Sequence, residues 1–390
     1  MTHIDDLTGI APRDSAGEGL PPPALVDGFH AIAWRHADPS LIRQWQVLAH
    51  ATASPNPFYE PWYLLPALRQ FDPDRAVMLA FTVEQGRLSG LMPLVRRSSH
   101  NDRPIPNLAN WTHANQFFGA PLIRPDREAH FWNGLLSWCD REARTALFLH
   151  LNTLALEGGT LAVLEDVCRS TRRPLRVVHR EERAALKAGP TPQEHLDACL
   201  VKKRRKELDR KRRRLEEMGL LEFTRAIDDG GIARWTDEFL ALEKAGWKGE
   251  AGSALASDPR TENLFRESIA AAAGEGRLER LAFHLDGQPI AMLASFVAPP
   301  IAFSYKTAFD DALAKLSPGL LLQVENLRVL ERKEIVMSDS CAAPGHPMID
   351  HFWRDRRTVG NVTIGIGGKM RRSIGAAIAA IEARNLETTP

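Results

Sequence analysis

Apolar and polar positions along the chain predict both strands and helices. From Leu25 onward, apolar residues recur with the spacings of both element types. Residues 77–83 and 88–95 are apolar runs on either side of a short turn that contains Gly86, which predicts a β-hairpin. Strand and helix patterns then alternate along the chain, so we expect an α/β or α+β fold.

The same order of predicted elements occurs twice. Leu79-Ala80-Phe81 leads into a hairpin that turns at Gly86, and Leu281-Ala282-Phe283 leads into one that turns at Asp286-Gly287. A helical segment precedes each hairpin, and a helix and a short strand follow it. These segments are 62–70, 126–145 and 147–151 in the first copy, followed by a further helix at 159–172, and 260–273, 318–333 and 335–338 in the second. The repeated order indicates a duplicated α/β unit.

Composition and punctuation divide the chain into four predicted parts. Gly189-Pro190-Thr191-Pro192 separates a charged stretch from a long helix and marks the central boundary. The first residues are rich in Gly, Pro, Ala and charge, with little apolar surface to bury. The predicted parts are a disordered segment 1–24, a first domain 25–189, a second domain 190–366, and a C-terminal helix and tail 367–390.

Composition excludes several classes of protein. The 390 residues are 44% hydrophobic and 25% charged, which suits a globular protein of about two domains. Fifty basic residues against 49 acidic ones leave a net charge of +1, which excludes a histone-like polycation. The four cysteines form no CxxC pair, and the N-terminus carries no apolar signal segment. The longest apolar stretch is interrupted by two prolines, so we expect a cytoplasmic protein with no membrane span.

One segment concentrates positive charge. Residues 202–214 hold ten basic and two acidic side chains, and Val201, Leu208 and Leu215 recur every seven residues. The pattern predicts a helix that docks by one narrow apolar stripe and presents cations elsewhere. Such a helix is able to hold phosphates, although a simply solvated charged face is an equal alternative.

A second segment predicts a strand followed by a helix start. The stretch 302–309 is apolar and predicts a strand. We expect this strand to end within the stretch, at the pair Tyr305-Lys306. Ser317, followed by Pro318-Gly319-Leu320, predicts an N-cap and the first helical turn, whose free N–H groups are able to receive a pyrophosphate. A lysine beside that turn is a candidate to stabilise an oxyanion.

Polar residues follow the next apolar strand. Asp339 is a candidate general base, Cys341 a candidate nucleophile or acid, and His346 a candidate base. Cys341, His346 and His351 lack the spacing of a zinc site, so we expect no metal.

Two loops complete the candidates. Glu243 closes a predicted helix, and Trp247-Lys248 stand in the glycine-rich loop after it, where a Trp is able to cover a substrate or simply pack in the core. The loop 110–115 is a candidate lining of an interdomain cleft, although packing on the first domain is the preferred interpretation.

Several ordered motifs together carry a family resemblance. They are KKRRKELDRKRRRLEEMG, ALEKAGWKGEAGSAL, LDGQPIAM, AFSYKTAFDDALAKLSPGLLL and DSCAAPGHPMIDHFWRDRR. The chain resembles the CelD/BcsL-type acetyltransferases of the GNAT superfamily, which are associated with cellulose and exopolysaccharide production. The FemABX aminoacyl transferases are similar in architecture. The resemblance covers roughly residues 26–365 and is strongest over 200–357.

The resemblance implies two tandem GNAT-like units, each a mixed sheet flanked by helices, with the second unit catalytic and the first a degenerate copy. It implies direct acyl transfer from acetyl-CoA or another acyl-CoA to an amine or hydroxyl of a small-molecule or polymer acceptor. Residues 304–307 become the strand that holds the acyl carbonyl, and 317–320 the phosphate end of the next helix.

Roles for individual residues follow from that chemistry. Asp339 or Glu243 is the expected base, and Lys306 the electrostatic stabiliser. Tyr305 or Cys341 is expected near the leaving sulfur. The remaining candidates bind ligands: Lys203, Arg204, Arg205, Ser317, Gly319 and Leu320 the donor, and Trp247, Lys248 and His346 the acceptor.

Two alternatives stay open. The usual Gln/Arg-x-x-Gly-x-Gly/Ala phosphate loop is absent and only Pro318-Gly319 remains, so a FemABX-like transferase that uses aminoacyl-tRNA is one alternative. The other is a non-catalytic adaptor of an exopolysaccharide assembly. A purely nucleic-acid-binding module fits least, because the net charge is only +1.

Overall fold

The computed structural model describes residues 25–346, 348–350 and 352–387. The predicted disordered segment 1–24 lies outside the described residues. Over the described ranges the strands are β1 (Gly28–Ala33), β2 (Met78–Glu84), β3 (Arg87–Arg97), β4 (Asn107–Asn110), β5 (Leu122–Ile123), β6 (Phe148–Ala155), β7 (Leu175–Lys187), β8 (Leu221–Ala226), β9 (Leu278–Leu285), β10 (Gln288–Ala298), β11 (Ile301–Phe309), β12 (Met337–Asp339) and β13 (Asp355–Gly365). The α-helices are α1 (Pro39–His50), α2 (Pro61–Phe71), α3 (Glu128–Glu142), α4 (Gly159–Ser170), α5 (Pro192–Cys199), α6 (Lys202–Met218), α7 (Ile232–Ala245), α8 (Trp247–Glu250), α9 (Pro259–Gly274), α10 (Pro318–Asn326) and α11 (Lys369–Glu387).

All of these strands belong to one mixed sheet flanked by helices. Its order is β1-β2-β3-β4-β6-β13-β7-β12-β11-β10-β9-β8, with β5 paired to β3. Read from either edge, the first four strands form an antiparallel run and the fifth pairs in parallel with the fourth. The two halves of the sheet therefore have the same order and pairing, as the repeated sequence pattern predicted.

The two central strands are exchanged between the halves. In the first half β7 follows β6 along the chain, but β13 lies beside β6. In the second half β13 follows β12, but β7 lies beside β12. The sheet is continuous because β7 and β13 also pair with each other along ten positions.

Both predicted hairpins are confirmed. β2 pairs with β3, and β9 with β10, each across two residues. The turn residues Gln85-Gly86 and Asp286-Gly287 all have positive φ, from 49° to 76°. That conformation suits the twist of a two-residue hairpin and favours glycine at the second position.

Some predicted boundaries differ from the structure. The helix predicted over 318–333 consists of α10 followed by a 3-10 helix over Leu327–Glu331, because helix ends commonly tighten into 3-10 turns. Tyr305-Lys306 do not end their strand: β11 continues to Phe309, so this pair lies inside the sheet.

Aromatic side chains join the two halves. Phe58 and Tyr63 from the first half pack against Phe296, Phe303 and Tyr305 from the second, and the ring centroid of Phe58 lies 5.8 to 6.1 Å from those three rings. All five side chains are buried. Aromatic pairs of this geometry add to the free energy of burial, so the boundary between the halves is part of the core.

The loop that follows β4 packs against the ends of β4 and β6. Gly119 donates its N–H to the carbonyl of Thr153 at 2.9 Å. Asn110 donates from Nδ2 to the carbonyls of Gly119 and Asn152 at 3.2 and 3.1 Å. β4 and β6 pair at only two positions, and the loop fills the space where the two strands separate.

Gly119 is required where the loop fills this space. A Cβ there would lie 2.1 Å from the carbonyl oxygen of Asn152 and 2.5 Å from Nδ2 of Asn110. We expect Gly119→Ala to lower the free energy of unfolding by about 1–3 kcal/mol, as overpacking does, in urea denaturation. Gly274→Ala is the control, since its Cβ would meet nothing within 4 Å. Equal losses in the two variants would contradict the steric explanation.

No helix in the described ranges is both long and apolar enough to cross a membrane.

Candidate active site

Strand β11 opens away from β12. The two strands pair in parallel only from Ile301 to Phe303 on β11, opposite Met337 to Asp339. On its other side β11 pairs with β10, and the register shifts between Ser304 and Lys306, so Tyr305 is the extra residue of a bulge. A bulge leaves backbone groups without ladder partners. The opening at residues 304–307 is therefore a place where backbone N–H groups are able to hold a carbonyl oxygen.

Lys306 lies at this opening. Its ammonium donates to Oδ1 of Asn115 at 2.8 Å and lies 5.3 Å from the ring centroid of Phe117. Burial, and then the positive charge of Lys248, lower the pKa of Lys306 to about 8. A cation held among aromatic rings and an amide is suited to stabilise negative charge that develops nearby.

Two tyrosines connect this strand to the first half. The hydroxyls of Tyr305 and Tyr63 are 3.3 Å apart, and Tyr63 donates to the carbonyl of Asn115 at 2.5 Å. Burial raises the pKa of both phenols above the usual range. Both hydroxyls therefore keep their protons at neutral pH.

Glu243, which is buried, and Lys248, which is partly exposed, form an ion pair beside β11. Lys248 donates to Oε1 of Glu243 at 2.8 Å and to the carbonyl of Thr307 at 3.0 Å. Oε2 of Glu243 accepts from the N–H of Leu255 at 2.8 Å. Both carboxylate oxygens of Glu243 are thus occupied, and its contacts position Lys248 at the strand.

Asp339 lies at the end of β12 in a buried ion pair. Its Oδ2 accepts from Arg357 at 2.8 Å, and its Oδ1 accepts from the N–H of Cys341 at 2.8 Å. Cys341 has a φ of 54°, in the left-handed region. Burial, reinforced by the Asp339 carboxylate, raises the pKa of the Cys341 thiol well above its usual range. The thiol is therefore protonated at neutral pH.

His346 and Trp247 lie nearer to solvent. Burial and the positive charge of Lys248 lower the pKa of His346, and its buried Nδ1 has no hydrogen-bond partner among the described residues. His346 is therefore a neutral imidazole able to accept a proton. Trp247 is 56% exposed, so it does not pack in the core, and its backbone N–H donates to Oδ2 of Asp311 at 2.6 Å.

The start of α10 lies beside the basic helix α6. Ser317 occupies the predicted N-cap position, but its φ is 54° and its side chain makes no capping bond. Its Oγ instead accepts from Lys211 of α6 at 2.9 Å. Gly319 is close-packed, since a Cβ there would lie 3.1 Å from the ring of Phe309. Leu320 follows in the same turn, with its N–H bonded to the carbonyl of Ser317 at 3.1 Å.

The predicted phosphate-binding residues of α6 lie elsewhere on that helix. Lys203 is eight residues before Lys211, a distance of about 12 Å along a helix. Lys203 and Arg204 are exposed, and Arg205 pairs with Asp197 of α5. The structure therefore brings Lys211, and not residues 203–205, to the first turn of α10.

Four contributors to this site were not selected from the sequence: Tyr63, Asn115, Lys211 and Arg357. The preferred interpretation of the loop 110–115 was packing on the first half, and that interpretation was incomplete. The loop packs there, but Asn115 also reaches Lys306. The asparagines of the loop were the signal in the sequence that pointed to such a contact, because buried amide side chains are hydrogen-bonded.

Comparisons with known proteins give the class of this fold. The profile described as an acetyltransferase (GNAT) domain matches residues 202–341. No curated protein matches the chain. The crystal structure of FemX is similar with a TM-score of 0.54 and 9% identity, over 86% of this chain and 98% of that one. A conserved protein of unknown function from Bacteroides thetaiotaomicron also has a TM-score of 0.54, with 10% identity over 83% of this chain and 97% of that one.

These findings support a GNAT-type acyltransferase fold whose profile match spans α6 to the end of the Asp339-Ser340-Cys341 segment. Because the sequence identities are near 10%, the similarity to these two solved structures concerns the fold alone. The match includes the bulged strand β11 and the start of α10 described above.

Proposed function

We propose that the protein transfers an acyl group, acetyl in the simplest case, from acyl-CoA to an amine or hydroxyl. The observation that carries this proposal is the bulge at Tyr305 on a strand that separates from β12, with Lys306 at the opening. Acyl transfer needs a place for the thioester carbonyl and a positive group near its oxygen. The β11 backbone and the Lys306 ammonium supply both.

The reaction is a direct displacement. The acceptor nitrogen or oxygen attacks the thioester carbon, the carbon–sulfur bond breaks, and CoA leaves as a thiolate. His346 accepts the acceptor's proton, since it is neutral and has a free ring nitrogen. Tyr305 or Cys341, each protonated at neutral pH, donates a hydrogen bond to the departing sulfur and passes it the proton, and the proton taken up by His346 then replaces it by way of solvent, so that CoA is released as a thiol. Asp339 and Glu243 position neighbouring groups, because their oxygens are occupied.

The donor's phosphates are proposed to lie at the first turn of α10. Gly319 contributes a backbone N–H there and Lys211 the positive charge, whereas the N–H groups of Ser317 and Leu320 already bond to the carbonyls of Ala314 and Ser317. Lys248 and Trp247 would border the acceptor from the other side of β11. Acyl-CoA is a cytoplasmic donor, and the link to cellulose or exopolysaccharide production is carried by the sequence resemblance.

Donor binding is tested by melting temperature. Acetyl-CoA at about 100 times its dissociation constant should stabilise the protein by roughly 2.7 kcal/mol, a shift of a few degrees. We expect Lys211→Ala to reduce this shift strongly. The matched control is Lys203→Ala, which should keep it. If Lys203→Ala loses the shift in melting temperature and Lys211→Ala keeps it, the phosphates bind at the start of α6 instead. If the wild type shows no shift, the protein does not bind acetyl-CoA and the proposed donor is wrong.

The aminoacyl-tRNA alternative has one specific observation in its favour. Within the described residues, the side chains of five cations of α6 make no hydrogen bond or ion pair: Lys202, Lys203, Lys206, Arg210 and Arg214. Such a surface suits a polyphosphate chain. Bulk tRNA should then raise the melting temperature at low salt, with an effect that falls steeply as salt rises. A shift with acetyl-CoA that persists in salt, without one for tRNA, supports the acyl-CoA proposal.

A further inference from the structure

Lys306 carries a positive charge that no carboxylate neutralises. Its ammonium donates to a neutral group, the amide oxygen of Asn115, at 2.8 Å. The carboxylate of Glu243 is already paired with Lys248, also at 2.8 Å. Within the part of the chain that the structure describes, Lys306 therefore has a hydrogen-bond partner but no ion pair.

The other titratable groups that face Lys306 leave this charge uncompensated. They are Lys248 from α8, Glu243 from α7, Cys341 after β12 and His113 from the loop after β4. The charges of Lys248 and Glu243 cancel. Burial, reinforced by the Asp339 carboxylate, raises the pKa of the Cys341 thiol well above its usual range. Burial, and then the charge of Lys306, lower the pKa of His113 to about 3. Cys341 and His113 are thus both neutral at pH 7.

Asn115 is held in place by its own backbone. Its carbonyl accepts from the hydroxyl of Tyr63 at 2.5 Å, and its N–H donates to Nδ1 of His113 at 3.4 Å. The residue is only 7% exposed. An ammonium donates and never accepts, so the oxygen of the amide has to face Lys306. The loop of the first half therefore fixes the position of a cation that belongs to the second half.

The amide matters because it holds the ammonium without taking its charge. A carboxylate in the same place would also accept from Lys306, but it would neutralise the cation. An aliphatic side chain would leave the cation neutralised by nothing and held by nothing. With one N–H given to Asn115, the ammonium keeps two more donors for an oxygen that becomes negative at the opening of β11.

We propose that Asn115 is a positioning residue of the transfer reaction, which holds the Lys306 ammonium at the opening of β11 without neutralising it. Asn115 acts through Lys306 and not on the reacting atoms. The role rests on the proposed acyl transfer and deepens it, because it makes the first half of the chain a working part of the active site.

Two variants of Asn115 should change the pKa of Lys306 in opposite directions. Asn115→Asp places an anion beside the ammonium and should raise this pKa, and Asn115→Leu removes the hydrogen bond to the charged form and should lower it. The pKa is measured by NMR of ¹³C-labelled lysine, with the signal assigned from Lys306→Met. Asn133→Asp, at an exposed position on α3, is the matched control and should keep the wild-type value.

The rate of CoA release from acetyl-CoA is measured on the same variants. Both changes should lower the maximal rate about tenfold or more, since one loses the hydrogen bond and the other the free charge. The fall of the rate with rising pH should occur at higher pH in Asn115→Asp and at lower pH in Asn115→Leu. If Asn115→Leu fails to fold, Asn115→Ala removes the same oxygen.

A double variant separates positioning from support of the fold. In Lys306→Met, Asn115→Leu should lower the rate no further, because the group that it positions is gone. An equal decrease with and without Lys306 would overturn the proposal. So would a wild-type rate in Asn115→Asp.

The NMR measurement needs neither donor nor acceptor, so the two proposals fail separately. Acyl transfer together with an unchanged pKa of Lys306 in both variants would leave the proposed function standing and remove the role of Asn115. Opposite changes of the pKa in a protein that transfers no acyl group would overturn the proposed function, and with it this role, while the contact itself stands.

Discussion

Replacing Lys306 by methionine should reduce acyl transfer by roughly 100-fold or more while the chain stays folded. The side chain keeps its apolar stem, but the positive charge beside the β11 bulge is lost, and removal of one oxyanion-stabilising group has effects of about this size. CoA release from acetyl-CoA in the presence of an acceptor measures the rate. Lys315→Met, at an exposed position before α10, is the control and should keep the wild-type rate.

The same residue predicts a dependence on pH. The pKa of Lys306 is lowered to about 8, so the rate supported by its ammonium should fall as pH rises through 8. Stability should change in the opposite direction. Between pH 8 and about 10.5 the unfolded chain binds this proton and the folded chain does not, so wild-type stability rises relative to Lys306→Met. A rate unchanged in Lys306→Met would show that the lysine only packs at the opening.

The second large effect concerns the buried pair of Asp339 and Arg357. The two side chains are 0% and 6% exposed, and Arg357 also lies 4.1 Å from the ring centroid of Phe118. Arg357→Met leaves a buried carboxylate without its cation, and such a loss costs about 3–5 kcal/mol. We expect this decrease in the free energy of unfolding by urea, and a smaller one for Asp339→Asn, which keeps an oxygen for the Cys341 N–H.

The double variant shows whether the pair acts as a unit. Asp339→Asn combined with Arg357→Met should lose less than the sum of the single losses, because no unpaired charge remains. Activity decides the role of Asp339. If Asp339→Asn is stable but loses transfer and the acidic limb of its pH profile, Asp339 is the base after all. If the rate of transfer falls only as far as the fraction of folded protein does, Asp339 positions its neighbours and is not the base.

The local parts of the fold were predictable from the sequence. The hairpins were predicted correctly, because a two-residue turn with glycine between two apolar runs determines how the two adjacent strands pair. The repeated order of elements was correct as well. The exchange of β7 and β13 was not predictable, because each pairs with a strand of the other half that lies about 150 residues or more away along the chain. The alternation of apolar and polar residues along one strand carries no information about which strand lies beside it.

The candidate site shows the same division. Tyr305, Lys306 and Cys341 were selected for their positions near strand ends, and the structure brings all three to the region where β11 and β12 separate. Lys211 was not selected among ten similar cations, because only the docking of α6 decides which one reaches Ser317. Asn115 could not be assigned either, because its loop spans both halves before it meets Lys306.

The exchange of central strands has a consequence for the history of the chain. Once each half supplies a strand that completes the other, a deletion that removed either half would leave β12 or β6 with a bare edge, and bare edges promote aggregation. A degenerate first copy would then be retained for its strand and its loop, even without chemistry of its own. Two copies of a unit that have exchanged a central strand in this way would no longer be able to return to a single copy.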